Sequence, residues 1–334
     1  MCGFVGIINK DGKKADSLLL EKMASVINYR GPDEEGLFID GSVGFYHKRL
    51  SIIDLTTGRQ PMTFNDCTIV YNGEIYNYIE LRDELKKKGH EFNTTSDTEV
   101  LLHMYQEFGD DFINNLNGMF AFIIYDKHKN KLLIAKDHFG IKPLYWYQDK
   151  QKIVFASEIK AILTHPDIVA EPDKKNLNEY LTFQFILGEG TLFRNISKVL
   201  PGHYMKFEIA SGRLTSVKYW EPDFKIDRYH TEEYFIVRLA EILDQTITQQ
   251  LRSDVPLGSY LSGGLDSSFV TILAASKYGQ QFKSFTGTFE EGPEFSEIYF
   301  AMEAAKMANS VLYKVTPTEQ QFIDLLPKLI WHLD

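Results

Sequence analysis

Two stretches of this 334-residue chain carry residue types that could do chemistry. The first is the terminus, "MCGFVGIINK". Cys2 becomes the first residue once Met1 is removed, and a small side chain at that position permits removal. The freed α-amine, with a pKa of about 7.7–8.0, then lies a few bonds from the sulfur. An amine of that basicity serves as a general base near neutral pH, directly or through a water, so one residue supplies nucleophile and base. The second stretch is "LSGGLDSS". Gly263 and Gly264 let the backbone turn tightly and aim N–H groups at an anion. Ser262, Ser267 and Ser268 supply hydroxyls, and the start of a following helix adds partial positive charge. The lysine of the Walker pattern is missing.

These residues need elements to hold them. Around Cys2, the run Phe4, Val5, Ile7 and Ile8 reads as a buried strand, which is unusual at a terminus. The first two hundred residues are β-rich. Strands are predicted at 3–8, 36–40, 43–53, 68–72, 119–125, 131–136, 153–156 and 203–209, and helices at 16–28, 77–88, 97–108 and 174–182. "IDLTTGRQPMTFND" has no period and reads as a loop. "YWEPDFKIDRYHTEE" is polar and aperiodic, the best linker candidate. In the helix predicted after it, Phe235, Leu239, Ile242, Leu243 and Ile247 share a face. Strand and helix then alternate: "VPLGSYL" as a buried strand, "SSFVTILAASKYG" as a helix, "FKSFTGTF" as a strand, "EIYFAMEAAKMA" as a helix, "SVLYKV" as a strand, "EQQFIDLLPKLIWHL" as a helix. That is a doubly wound α/β pattern which stops after three strands.

Length suggests about two domains. A net charge of −10 argues against unaided binding to nucleic acid or anionic membrane. No stretch approaches the ~20 apolar residues of a membrane span, and the terminus lacks a signal peptide's basic region. The expectation is a cytoplasmic protein. Cys2 and Cys67 are too few for a disulfide framework or a cysteine-rich zinc site, and Cys67 reads as a passive small residue.

The segments "MCGFVGI", "RGPDEEG", "KRLSIID", "VYNGEIYN", "SDTEV", "NGMFAF", "DHFGIKPLY" and "ASEIKAIL" occur in this order. Together they resemble the class II, N-terminal-nucleophile glutamine amidotransferases. With the second half, the chain resembles the glutamine-hydrolysing asparagine synthetase family over essentially its whole length. The resemblance implies an α+β four-layer αββα sandwich at 2–218, followed at 230–334 by a partial α/β doubly wound domain with the PP-loop of ATP pyrophosphatases. It implies that Cys2 attacks glutamine, with the Asn72 side chain and the Gly73 N–H as oxyanion donors. Arg49 would fork onto the substrate carboxylate and Asp97 would accept from its ammonium. Ser96 and Glu99 also read as a capping box at that helix start. Backbone groups of Arg49, Leu50, Ser51, Ile52 and Ile53, together with Glu74, complete the implied glutamine site.

At the second site the resemblance implies ATP as substrate. Ser262, Gly263, Gly264, Ser267 and Ser268 would hold pyrophosphate, with Leu261 and Gly287 near the adenosine and Asp266 as the Mg²⁺ ligand. Aspartate would be adenylated, and ammonia from the first site would displace AMP. Ammonia must travel without meeting bulk water, and "NGMFAF" and "KPLY" are candidates for the wall of its path. Three departures stand out: Lys136 in place of the family's usual arginine, no histidine near "NSVLYKV", and an end at "WHLD" before the family's second ATP-contacting segment. The expectation is therefore a glutaminase with an incomplete synthetase half, as a homodimer or with a complementing C-terminal chain. The alternatives are another class II amidotransferase, a glutaminase-only chain or a non-catalytic remnant.

Overall fold

β1 (Gly3–Asn9) shows why this terminus does not fray. Phe4 and Ile8 point to one face, Val5 and Ile7 to the other, and all four are buried. A strand buried on both sides reads as an unbroken apolar run. Burying each such side chain fully is worth about 1.5–3 kcal/mol. The computed structural model describes residues 1–289, 292 and 296–334, which form two compact units, Met1–Asp223 and Phe224–Asp334.

In the first unit, β1 is followed by α1 (Ser17–Ser25), β2 (Glu34–Asp40), β3 (Val43–Arg49), β4 (Met62–Phe64), β5 (Cys67–Ile75), α2 (Tyr78–Lys87) and α3 (Asp97–Phe108). Then come β6 (Gly118–Asp126), β7 (Lys131–Lys136), β8 (Tyr145–Gln148), β9 (Lys152–Ala156), α4 (Ile159–Leu163), α5 (Lys174–Phe183), β10 (Ile196–Lys198), β11 (His203–Glu208) and β12 (Arg213–Lys218). Two six-stranded antiparallel sheets result, ordered β10-β8-β9-β1-β3-β2 and β12-β11-β7-β6-β5-β4. Phe4, Phe45 and Phe155 of the first sheet share one apolar cluster with Val70, Ile123 and Ile134 of the second. Val5 and Ile7 cluster instead with Leu20 and Met23 of α1 and Ile162 of α4. Tyr71 and Phe122 cluster with Leu81 of α2 and Leu101 of α3. This is an α+β fold.

In the second unit α6 (Glu232–Gln250) precedes β13 (Gly258–Tyr260), α7 (Leu265–Lys277), β14 (Lys283–Gly287), α8 (Ile298–Met307), β15 (Val311–Val315) and α9 (Glu319–Leu333). The strands pair in parallel in the order β13-β14-β15, with α7 and α8 as crossovers.

Several sequence expectations need correction. The strand expected over 43–53 ends at Arg49, and Leu50–Ile53 is irregular because Arg49 itself ties the following loop down. The stretch read as a loop contains β4; β8, β10 and α4 were not predicted, being short, and neither was β12, whose "RLTSVK" is half polar. "VPLGSYL" yields only a three-residue strand at a sheet edge, with Tyr260 exposed rather than buried. On α6 the apolar face is helical as expected, yet only Ile247 is buried; Phe235, Leu239 and Ile242 face solvent. The capping box at α3 is not formed. Ser96 does cap the helix, accepting from the Thr98 N–H at 3.1 Å. Glu99, however, accepts from the Asn93 and Thr94 N–H groups, because the Thr94 hydroxyl already takes the Ser96 N–H. Cys67 is buried at the start of β5. Among the described residues no helix is long and apolar enough to cross a membrane.

Candidate active site

Cys2 stands one residue before β1. The register Gly3↔Lys48 carries it alongside the end of β3. Its sulfur accepts from the Leu50 N–H at 3.3 Å, and its thiol lies 3.5 Å from the Leu50 carbonyl. Its own carbonyl accepts from Arg30 Nε at 2.9 Å, and Arg30 pairs with buried Glu158 at 2.6 Å. On the other side, Phe4 and Ser157 exchange bonds of 3.0 and 3.1 Å. The cysteine backbone is thus pinned from both sides. Burial pushes the thiol up from its ordinary range, while the Leu50 contact pulls it back.

A cleft opens at this point, lined by Met1, Cys2, Arg49, Leu50, Ile52, Ile53, Gly58, Gln60, Tyr71, Asn72, Gly73, Glu74, Ser96, Asp97, Thr98 and Lys142. Of the residues expected for glutamine, only Ser51 is missing from this lining; its N–H donates to Asp33 at 2.8 Å. Asn72, Gly73 and Glu74 come together because β5 runs past the cleft, pairing with Ala121, Phe120 and Met119 of β6. Gly73 is required there: a Cβ would sit 2.2 Å from the Met119 carbonyl. Asn72 is 1 % exposed, and its Nδ2 is a buried donor with no hydrogen-bond partner among the described residues. Leaving such a donor unpaired costs about 1–3 kcal/mol, so an acceptor entering the cleft would relieve it.

Asp97, in the first turn of α3, is buried. It accepts from the Tyr71 hydroxyl at 2.9 Å and the Ile75 N–H at 3.0 Å, yet pairs with no cation among the described residues. Burial raises its pKa, partly offset by those bonds. Glu74 is held up at about 7 by burial, with Lys142 opposing. Arg49 is buried and already engaged: it donates to Glu34 at 2.6 Å and to the carbonyls of Ile53 and Asp54. The guanidinium therefore shapes the loop wall of the cleft as well as lining it. Gln60, Tyr71, Thr98 and Lys142 were not singled out as glutamine contacts from sequence. Tyr71, Thr98 and Lys142 lay in the quoted motifs "VYNGEIYN", "SDTEV" and "DHFGIKPLY", and Gln60 in the stretch read as a loop; tertiary packing brings their side chains to the cleft.

In the second unit, Leu261, Ser262 and Gly287 line a separate cleft with Tyr260, Phe285, Thr286, Phe289, Ser296 and Glu297. Gly263, Gly264, Asp266, Ser267 and Ser268 form the adjoining loop and first turn of α7. Gly263 has φ +98°, a conformation few side chains tolerate, and a Cβ would lie 2.8 Å from the Glu297 carbonyl. Ser262 and Ser267 hydroxyls meet at 2.9 Å. Asp266 is exposed in the first turn of α7. Lys136 is buried and forms no ion pair among the described residues; burial lowers it to about 8.

The Cys2 thiol and the orphaned Asn72 amide donor thus line one cleft. Residues 1–220 match a glutamine amidotransferase domain, and residues 238–334 an asparagine synthase domain. The chain is 42 % identical to asparagine synthetase [glutamine-hydrolyzing] 1 of Bacillus subtilis, over all of this chain and 53 % of that protein. It is 34 % identical to putative asparagine synthetase [glutamine-hydrolyzing] 2 of Methanocaldococcus jannaschii, over all of this chain and 68 % of that one. The chain belongs to the glutamine-hydrolysing asparagine synthetase family, and it spans about half the length of the Bacillus relatives. A solved glutamine phosphoribosylpyrophosphate amidotransferase of B. subtilis aligns with 97 % of this chain and 70 % of its own, at 17 % identity and a TM-score of 0.47.

Proposed function

We propose that the chain hydrolyses glutamine to glutamate and ammonia at Cys2. In the full-length setting of its relatives, the ammonia would serve ATP-dependent amidation of aspartate through β-aspartyl-AMP. One observation carries the reading: the unpaired Asn72 Nδ2 lies in the same cleft as the Cys2 sulfur. A thiolate attacking an amide carbonyl develops negative charge on oxygen, and a preorganised donor stabilises it without reorganisation. Gly73 N–H is the second donor. Arg49, Glu74 and the backbone of Leu50, Ile52 and Ile53 surround the amino-acid end of glutamine, and the Asp97 carboxylate, which pairs with no cation among the described residues, takes its ammonium. Met1 must leave, since with it retained the base is an amide nitrogen.

We read the first domain, 2–218, as the four-layer αββα stack of N-terminal-nucleophile hydrolases. The separate apolar clusters between and outside the two sheets support this. We read 230–334 as the start of a PP-loop synthetase domain, with ATP in the cleft at Ser262 and Mg²⁺ on Asp266, in a cytoplasmic protein.

The test is ammonia release from glutamine together with labelling by the diazoketone analogue of glutamine. Cys2→Ala is expected to abolish both; labelling that persists in that variant, or lands on Cys67, would remove Cys2 from the role. Supplied with aspartate, ATP·Mg and either glutamine or ammonium, the 334-residue chain is expected to form no asparagine. Adenylation depends on positioning both reactants, and no aspartate-holding group is identified among the described residues of the second unit. Stoichiometric asparagine would overturn that part.

A further inference from the structure

The cleft holds one charged group for which the glutaminase reading gives no work. Lys142 is buried, and among the described residues it pairs with no carboxylate. The one contact of its ammonium is the Met1 sulfur, at 2.8 Å. Burying an ammonium without a counter-ion is costly, and here the backbone makes the position obligatory. Asp137 accepts from the N–H groups of Phe139, Ile141 and Lys142 at 3.1, 3.0 and 3.2 Å. It also accepts from the Phe120 N–H of β6 at 3.1 Å. Gly140, at φ +70°, closes that turn. The loop is therefore locked onto the strand beside Gly73, and it delivers Lys142 into the cleft next to residue 2.

We infer that Lys142 is a charge-setting residue of the nucleophile: its ammonium, held in no ion pair among the described residues, disfavours a proton on the residue-2 amine and favours the thiolate of Cys2. The inference rests on the glutaminase reading and adds a residue to it. Two like charges in a poorly solvated cleft repel, so the amine titrates lower; a cation beside a thiol also lowers its titration. Both effects widen the pH range in which base and nucleophile are ready. Two other cations act in the same direction, Arg30 on the Met1 amine and Arg49 on the Cys2 thiol, but each is ion-paired. Arg30, from the turn after α1, is held by Glu158 and by the Cys2 carbonyl. Arg49, from β3, is held by Glu34. Asp33, before β2, and Asp97, on α3, carry the opposite sign: Asp33 raises the Met1 amine and Asp97 the Cys2 thiol. Glu74, on β5, and Asp137, in the lysine's own loop, face Lys142 and favour its charge, against a burial that lowers its titration; Glu74 is itself drawn up to about 7 by burial. With Met1 in place it is the Met1 amine that is lowered, first by burial, with Cys2 opposing and Arg30 and then Lys142 adding to the decrease.

The experiment compares wild type, Lys142→Met and Lys142→Arg, each confirmed by mass to lack Met1. It follows the pH dependence of kcat/KM for glutamine hydrolysis and of the rate of Cys2 labelling by the diazoketone analogue. Removing the charge is expected to move the acidic limb of both profiles up by roughly one pH unit, and Lys142→Arg is expected to restore it. Lys142→Gln carries the same expectation if the methionine variant does not fold. An acidic limb that stays in place or moves down in a folded, labelled variant overturns the inference, even if activity or Tm falls, since that marks a packing role. A wild-type chain that neither releases ammonia nor labels at Cys2 overturns the glutaminase reading first, and this inference with it.

Discussion

Asn72 and Asp97 are both buried, and among the described residues Asn72 Nδ2 finds no acceptor and Asp97 no cation. Asn72→Ala removes the oxyanion donor, so kcat for glutamine hydrolysis should fall about 10²–10³-fold with little change in KM. Steady-state kinetics with ammonia readout checks this, and a change confined to KM would assign Asn72 to ground-state binding. Asp97→Asn keeps the shape but removes the charge, so the glutamine requirement should rise, on the order of 2–5 kcal/mol in kcat/KM. Arg49→Ala should also raise that requirement, and by loosening the Ile53–Asp54 wall as well as by losing charge. Glu74 gives a pH signature. Its folded pKa of about 7 lies above the ordinary carboxyl value of 4.5, so the native state holds a proton that the unfolded chain has lost. Stability therefore falls as pH rises from about 4.5 to about 7, by on the order of 2–3 kcal/mol. Denaturant titration of Glu74→Gln should show that decline removed; the same decline in the variant would place its cause elsewhere.

At the scale of elements, the β5–β6 pair carries the site, and close approach of backbones makes it intolerant. Gly73→Ala would bring a methyl to 2.2 Å from the Met119 carbonyl, so strand pairing must yield. A loss of several kcal/mol and a large fall in Tm are expected. Gly287→Ala meets nothing within 4 Å, and its Tm should match wild type. Both values come from one thermal-unfolding comparison. These elements were unevenly legible. The buried strand at the terminus announced itself through Phe4, Val5, Ile7 and Ile8, and α3 through its Ser96 cap. β8 and β10 did not, because strands of three or four residues carry too little period and take their pairing from distant partners. The end of β3 was misplaced by four residues because "LSII" has strand composition; what stops the strand is the guanidinium of Arg49 capturing carbonyls of its own loop.

At the scale of the molecule, the two units differ in how much apolar surface they keep from water. The first has three apolar clusters whose largest side chains are fully buried. The second has two small ones, and α9 buries none of its residues, with Phe322, Leu326 and Ile330 exposed. Surfaces of that kind bind other surfaces. The 334-residue chain should therefore bind a hydrophobic dye strongly, and Leu326→Glu with Ile330→Glu should lower the dye signal while leaving ammonia release unchanged. A dye signal that is weak in wild type, or unmoved by the double variant, would locate the exposed apolar surface outside α9.

By itself the sequence determined the chemistry: a thiol at position 2, an Asn-Gly after an apolar strand, a Gly-Ser loop before a helix. Such features are local, because residue type and near-neighbour spacing fix what a group can donate, accept or attack. Only the tertiary structure decided which of these groups share a cleft and in what electrostatic state. Arg49 meets Glu34 across a strand pair, Asp97 lacks a cation, Asn72 Nδ2 lacks an acceptor, and Lys142 arrives beside Met1 from a loop 141 residues away. Burial and partnership depend on what folds over each group, and that is set by sheets whose strands come from opposite ends of the first unit.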